Sequence, residues 1–416
     1  MEWPIVKLGD ICDFQNGFAF KSKLFTDIGV PILRISNIQS GSIDLKRVAY
    51  TDPNSYKENL DRYRVVDGDL LIAMSGATTG KIGINNTGID FLLNQRVGKF
   101  VPSNKLDKQY LYYYLSTQVE KHLEISAGAA QPNLSTEQIK GMKIPFPPIP
   151  EQKFIVAVLD QAFADIEQAR AKTEKNLKDA RELFESCLQQ VFSQRGEGWE
   201  EYLLGDVCTF KHGFAFKSEF FTQDKGYVLL TPGNFFEEGG YRDRGEKQKY
   251  YDGTFPNEFL LSKGALLVAM TEQAVGLLGS PALVPKDSTF LHNQRLGLVE
   301  LTDEFRDNLS MEFLFHLFNT KYFRSKVQET ATGLKVRHTS PKKMQVIPIW
   351  LPSDLNKQKE IALKLFNLKE ESLKLEEIYK AKALQLDELK KSILQKAFSG
   401  ELTKTLEVDT NKGAVA

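Results

Sequence analysis

The segment Leu8 to Thr26 reads LGDICDFQNGFAFKSKLFT and Leu204 to Thr222 reads LGDVCTFKHGFAFKSEFFT, identical at 13 of 19 positions at a constant offset of 196. Two further blocks follow in the same order. GDLLIAMSGATTGKIG at Gly68 to Gly83 matches GALLVAMTEQAVGLLG at Gly264 to Gly279, and NQRVG at Asn94 to Gly98 matches NQRLG at Asn293 to Gly297. A period near half the chain is far longer than the roughly 20–50 residues of a solenoid or propeller unit, so it marks a duplicated domain with approximate internal two-fold character. Between the blocks, Ile28 to Val66 and Asp224 to Ser262 share little sequence and read as two different variable inserts.

Within each copy, short apolar runs (Val30 to Ile35, Leu70 to Met74, Tyr227 to Leu230, Leu266 to Met270) are bounded by Gly, Pro, Asn and Asp, the mark of strands. Gln109 to Leu123 and Ser310 to Val327 carry apolar residues at helical spacing without Pro or Gly, and each reads as one helix. Each copy is therefore a mixed α/β globule of about 150 residues, an ordinary domain size. Each ends in a Pro-rich stretch, IPFPPIPEQ at Ile144 to Gln152 and IPIWLPSDLNKQ at Ile347 to Gln358, after which Pro and Gly vanish from Gln152 to Phe192 and from Lys357 to Phe398.

Those two stretches carry a 3.5-residue repeat. In the first, the line runs through Ile155, Leu159, Ala162, Ile166, Ala169, Thr173, Asn176, Ala180, Phe184, Cys187 and Val191. In the second it runs through Ile361, Leu365, Leu368, Ser372, Leu375, Tyr379, Lys382, Leu386, Leu389, Ile393 and Lys396. Each helix alone would expose its apolar stripe, so antiparallel pairing of the two, with a globule at each end, is the economical arrangement. The expected fold is α+β: globules at 1–150 and 196–355, long helices at 151–195 and 356–402 forming an antiparallel coiled coil in a dumbbell, and a disordered tail at 403–416. ESCLQQVFS at Glu185 to Ser193 also matches KSILQKAFS at Lys391 to Ser399, so the helices belong to the duplicated unit.

Enzymatic signatures are missing from the sequence. SGATTGKIG at Ser75 to Gly83 has the wrong spacing for a phosphate loop, and its second copy has no Lys. It either terminates a strand or presents Ser75, Thr78, Thr79 and Lys81 to a polar ligand. DPNSY at Asp52 to Tyr56 lacks the second Pro of an adenine-methyltransferase motif. His122, His212, His292, His316 and His338 show no metal or triad spacing. Cys12, Cys187 and Cys208 build no disulfide framework, and Cys12 and Cys208 share a repeat position that suits a small core residue. The N-terminus lacks a signal-peptide pattern and no apolar run approaches membrane-span length, so a cytoplasmic protein is expected.

Polar residues able to meet DNA are plentiful. Lys21 and Lys217, in the repeated GFAFK, and Arg96 and Arg295, in NQR, are backbone-contact candidates, as is Lys81. Residues that select different half-sites should differ between the copies. The base-reading candidates are therefore Arg34, Ser36, Asn37 and Gln39 against Thr231 and Asn234, Arg62 and Arg64 against Lys247 and Lys249, and Gln131 and Asn133 against Lys335, Arg337 and His338. The aromatics Phe18, Phe20, Phe214 and Phe216 suit core anchors, and the shared NQR suits a structural or phosphate-positioning role.

LGD near each globule's start, GATTGKIG, NQR, and a Pro-rich exit into a helix ending FSGELT at Phe398 to Thr403, all in doubled order, resemble the specificity subunit of type I restriction-modification systems. The resemblance implies a non-catalytic chain whose globules are target recognition domains, each reading half of a bipartite site in double-stranded DNA. It further implies that the helices set the spacer and dock two modification (methyltransferase) subunits supplying S-adenosylmethionine. Restriction/translocase subunits using ATP and magnesium would join them, with no cofactor in this chain. Lys plus Arg equals Asp plus Glu at 54 each. Met1 to Pro150 has 17 basic and 15 acidic residues (+2), and Gly196 to Leu355 has 18 and 21 (−3). Neither is the strongly basic domain of an autonomous DNA binder, so the expectation is weak, salt-sensitive binding without partners. The competing class is a coiled-coil scaffold whose globules hold protein or polysaccharide.

Overall fold

The computed structural model describes residues 3–119, 133–273, 276–333 and 335–402. The chain divides into two compact units, Met1–Glu174 with Ala381–Ala416, and Lys175–Lys380, so the division falls inside the long helices. The candidate Gln131 and the tail at 403–416 lie outside the described residues.

In the first unit, Leu70–Ala73 is buried at all four positions because it is covered on both faces. Alternation sends Leu70 and Ile72 into a core with Leu111, Leu134 and Ile155. Leu71 and Ala73 enter a second core with Leu33, Val65, Phe91 and Leu93. A continuous apolar run is what such a doubly covered strand requires. It belongs to a four-stranded antiparallel sheet ordered Ile82–Ile84, Leu70–Ala73, Val97–Pro102, Cys12–Asn16. Beside it stands a five-stranded sheet ordered Phe25–Thr26, Ala49–Thr51, Val30–Leu33, Phe91–Leu93, Arg64–Val65, in which Val30–Leu33 and Phe91–Leu93 run parallel.

The second unit repeats both sheets. Leu266–Ala269 divides Leu266 and Val268 from Leu267 and Ala269 in the same manner, and Tyr227–Leu230 runs parallel to Phe290–His292. The inserts therefore share one architecture despite their divergent sequences. One helix expected from Ser310 to Val327 is two, Met311–Phe318 and Lys321–Glu329, because the Thr320 hydroxyl accepts the Phe323 amide and starts a new helix. Cys12 and Cys208 are buried, and desolvation pushes both thiols up to about 12.

The long helices span Ile149–Ser193 and Leu355–Phe398. Each is stapled to its globule by one buried glutamine. Gln152 accepts the Asp107 amide at 2.8 Å and donates to the carbonyls of Lys105 and Pro147. Gln358 accepts the Ser310 amide at 3.0 Å and donates to those of Asn308 and Pro352.

Within each unit the helix segments run antiparallel. Arg170 meets Asp387 and Glu167 meets Lys390 in the first, and Arg181 meets Glu376 in the second. The seam of the first helix is as expected, with Ile155, Leu159, Ile166, Thr173, Ala180 and Phe184 buried. In the second helix Tyr379, Leu386 and Ile393 keep their expected inward places, but the positions between them slip by one residue after Ser372. Glu376, Ala383, Lys390 and Ala397 turn inward, while Leu375, Lys382, Leu389 and Lys396 face water. Glu376, paired with Arg181, occupies an inward position that a count of leucines passes over. At the helix ends, Phe398 packs edge-on against Tyr110 and Tyr114 of the first globule. Phe192 packs edge-on against Trp199 and tilted against Phe313 of the second.

Candidate nucleic-acid interface

The repeated GF and NQR motifs are two sides of one joint. The Phe18 amide donates to Leu93 O and the Gln95 amide to Phe18 O, both at 2.8 Å. The same pair in the second globule joins Phe214 to His292 and Gln294 to Phe214. A Cβ on Gly17 would lie 2.2 Å from Asn94 O, and one on Gly213 would lie 2.3 Å from Asn293 O, so only glycine permits the approach. Asn94 and Asn293 fold back to accept the amides of Arg96 and Arg295. Phe18 and Phe20 pack with Tyr56, and Phe214 and Phe216 pack with Phe259 and Tyr251 respectively. The shared motif thus builds scaffold and leaves Lys21, Lys217, Arg96 and Arg295 exposed, with Lys217 3.8 Å from Glu219.

Three segments converge where the doubly covered strand ends. The Met74 amide donates to Arg96 O and the Leu134 amide to Met74 O; Met270 does the same with Arg295 and Thr339. Ser75 bridges Asn133, and Thr271 and Glu272 pair with His338 and Arg337. Arg96 and Asn133, or Arg295, Arg337 and His338, are therefore drawn to one place. The Gly76–Thr78 turn joins two strands of an antiparallel hairpin. A phosphate loop would lead from strand to helix. Thr78 ties this turn to the insert through Ile35 O at 3.0 Å, and Lys81 holds Gln39 at 3.4 Å.

Asn37 and Asn234 are not base readers. Each is 1% exposed. Asn37 accepts the Arg34 amide and donates to Asp44 O; Asn234 accepts the Thr231 amide and donates to Gln248. They brace the same turn in both inserts. Arg34 is half-buried, with Nη2 on Arg47 O at 3.0 Å. Strand register also corrects the pairing of Arg62 and Arg64 with Lys247 and Lys249. Arg64 sits opposite Leu92 as Leu260 sits opposite Leu291, which aligns Arg62 with Glu258. Arg62 lies over the Tyr63 ring, and Arg64 is paired with Asp90 at 2.6 Å, turned toward a carboxylate rather than free for a duplex.

In the second globule the converging segments enclose a pocket of about 400 Å³ lined by Thr231, Arg244, Lys249, Thr271, Gln273 and Arg295, among others. Glu272, almost fully buried, accepts the amides of Gly276 and Leu278 and pairs with Arg337 at 3.1 Å, which commits both charges. Arg324 braces the wall from behind, donating to Glu237 O and Gly276 O; burial draws its pKa down to about 10. Lys335 and Lys247 are exposed. Neither Arg244 nor Gln273 stands among the residues expected from sequence: Arg244 lies in the divergent insert, and Gln273 lies in the repeated block opposite Ala77. Superposing the two asparagine-braced turns would have found Arg244.

A frame held constant in two copies, with different polar side chains where its strands end, defines a recognition protein with two related binding faces. Residues 1–175 and 196–385 match the type I restriction modification DNA specificity domain, and the chain belongs to this family. It is similar to the putative MjaX specificity subunit of Methanocaldococcus jannaschii, at 24% identity over 96% of this chain and 94% of that one. It is also similar to the EcoBI specificity subunit of Escherichia coli, at 22% over 96% and 86%. The MjaVIII specificity subunit of M. jannaschii is 33% identical over 42% of each chain. Among solved structures, the HsdS subunit from Thermoanaerobacter tengcongensis shares the fold, with a TM-score of 0.64 at 19% identity over 96% of this chain and 97% of that one. A type I restriction-modification assembly shares it with a TM-score of 0.69 at 18% identity, over 95% and 97%. The protein is thus a DNA-recognition specificity subunit rather than a catalytic one. Among the described residues no helix is long and apolar enough to cross a membrane.

Proposed function

We propose that each globule reads one half of an asymmetric, bipartite duplex site, and that the paired helices fix the unspecified spacer between the halves. The observation that carries this reading is the strand-end surface. One frame presents Arg34, Gln39 and Asn133 in the first globule, but Thr231, Phe236 and His338 at the equivalent turns of the second. Lys21, Lys81, Arg96, Lys217 and Arg295 would hold the DNA backbone. Two modification subunits would dock on the helices, where Leu363, Ile378, Leu384 and Leu389 stand exposed. They would supply S-adenosylmethionine and methylate adenine, and restriction subunits would bring ATP and magnesium. The chain itself holds no cofactor in this reading, and it acts in the cytoplasm, where its substrate lies.

The test is to sequence methylated adenines in a host expressing the chain with its modification subunit. A split motif with unlike halves is expected. A symmetric or unsplit motif would contradict the two-reader model, and no new methylation would favour a protein- or polysaccharide-binding scaffold.

A further inference from the structure

The pocket of the second globule has an unusual balance of donors. Arg244, Lys249 and Arg295 line it, while its carboxylate, Glu272, is spent on two backbone amides and Arg337. Lys249 rests over the Phe221 ring, 5.6 Å from its centre. Among the described residues the Arg244 guanidinium has no hydrogen-bonding or ionic partner. It lies over Gly233, where an added Cβ would meet Nη1 at 3.1 Å and Cζ at 3.2 Å. The turn carrying Gly233 is fixed by buried Asn234. Arg244 is half-buried, whereas Lys249 and Arg295 are exposed around it.

We propose that this pocket takes the major-groove edge of a guanine, with Arg244 donating two of its guanidinium N–H groups to O6 and N7, while Arg295 holds an adjacent phosphate. The inference rests on the DNA-reading function proposed above and assigns one base and one residue within it. A surface of uncommitted donors calls for a ligand of acceptors, which a duplex offers as phosphate oxygens and as the paired O6 and N7 of guanine. Position separates the two. Arg295 belongs to the repeated NQR and sits at the exposed rim, as a sequence-independent contact would. Arg244 belongs to the insert that differs between the copies and is recessed against the Gly233 turn, with its planar fork free for a bidentate contact. The first globule has Ser36 in place of Gly233 and Arg34 in place of Thr231, so it offers a different face.

The experiment uses the complex of the full chain with its modification subunits. Methylated sites are mapped, and binding is measured by competition against duplexes substituted at each base pair of both half-sites. Arg244→Ala should relax selection at one guanine of a single half-site and weaken cognate binding about tenfold to a hundredfold, with the other half-site still read. Arg244→Gln should move preference at that position toward adenine. Arg295→Ala should weaken all duplexes alike and flatten the salt dependence. If Arg244→Ala instead weakens every sequence equally, or leaves discrimination unchanged, the guanine assignment is overturned while DNA reading stands. A parent complex that selects no DNA sequence would overturn both.

Discussion

At Gly17 and Gly213, residues with no side chain decide whether either globule closes. Each lets the chain pass against the carbonyl that follows the parallel strand, and each recurs in the repeated GF. Gly17→Ala should destabilise the first unit by about 2 kcal/mol or more through overpacking against backbone, readable as a lowered thermal midpoint. Two histidines carry a pH signature. Burial holds His292 and His316 down to about 4 against an ordinary value of 6.5. The unfolded chain therefore binds protons first as acid is added. Stability from these groups is complete above about pH 6.5 and is lost on descent toward pH 4. A His316→Phe chain should lose less stability between about pH 7 and pH 5 than the parent; equal losses would assign the acid sensitivity to other groups. Among the base-reading candidates, Asn37 and Asn234 are buried in the turns they brace, and the divergence of the inserts hides their equivalence. With VPILRISN set beside YVLLTPGN the asparagine is shared, as residues that build scaffold are.

Among the elements, the doubly covered strands were legible because four consecutive apolar residues suit no half-exposed position. The helices were legible from their period and their lack of Pro and Gly. Their seam was not wholly so, since Glu376 and Lys390 turn inward with charged partners and displace Leu375 and Leu389. Nor was the duty of Gln152 and Gln358, because a polar residue inside a Pro-rich exit announces nothing about which amides it meets. Gln358→Ala would leave the Ser310 amide and the carbonyls of Asn308 and Pro352 unpaired in a buried place. A loss of about 3 kcal/mol is expected in denaturant unfolding of the second unit; a change within error would show that these groups find other partners.

For the whole molecule, doubling was the most legible property, and the near-zero charge balance the most instructive. Basic and acidic residues are equal at 54 each, and several candidate cations are already paired, Arg64 with Asp90 and Arg337 with Glu272. The isolated chain should bind duplex DNA weakly, with affinity falling steeply as salt rises. Tight specific binding should require the modification subunits. Nanomolar, sequence-specific binding by the purified chain alone would refute this.

The placement of Phe398 against Tyr110 and Tyr114 has a consequence in time. The core of the first globule is completed by Ile393, Leu394 and Phe398, residues synthesised almost 300 positions after Tyr110. The second unit draws its whole structure from one uninterrupted stretch, Lys175–Lys380. On the ribosome, the domain that emerges first is the last to be finished.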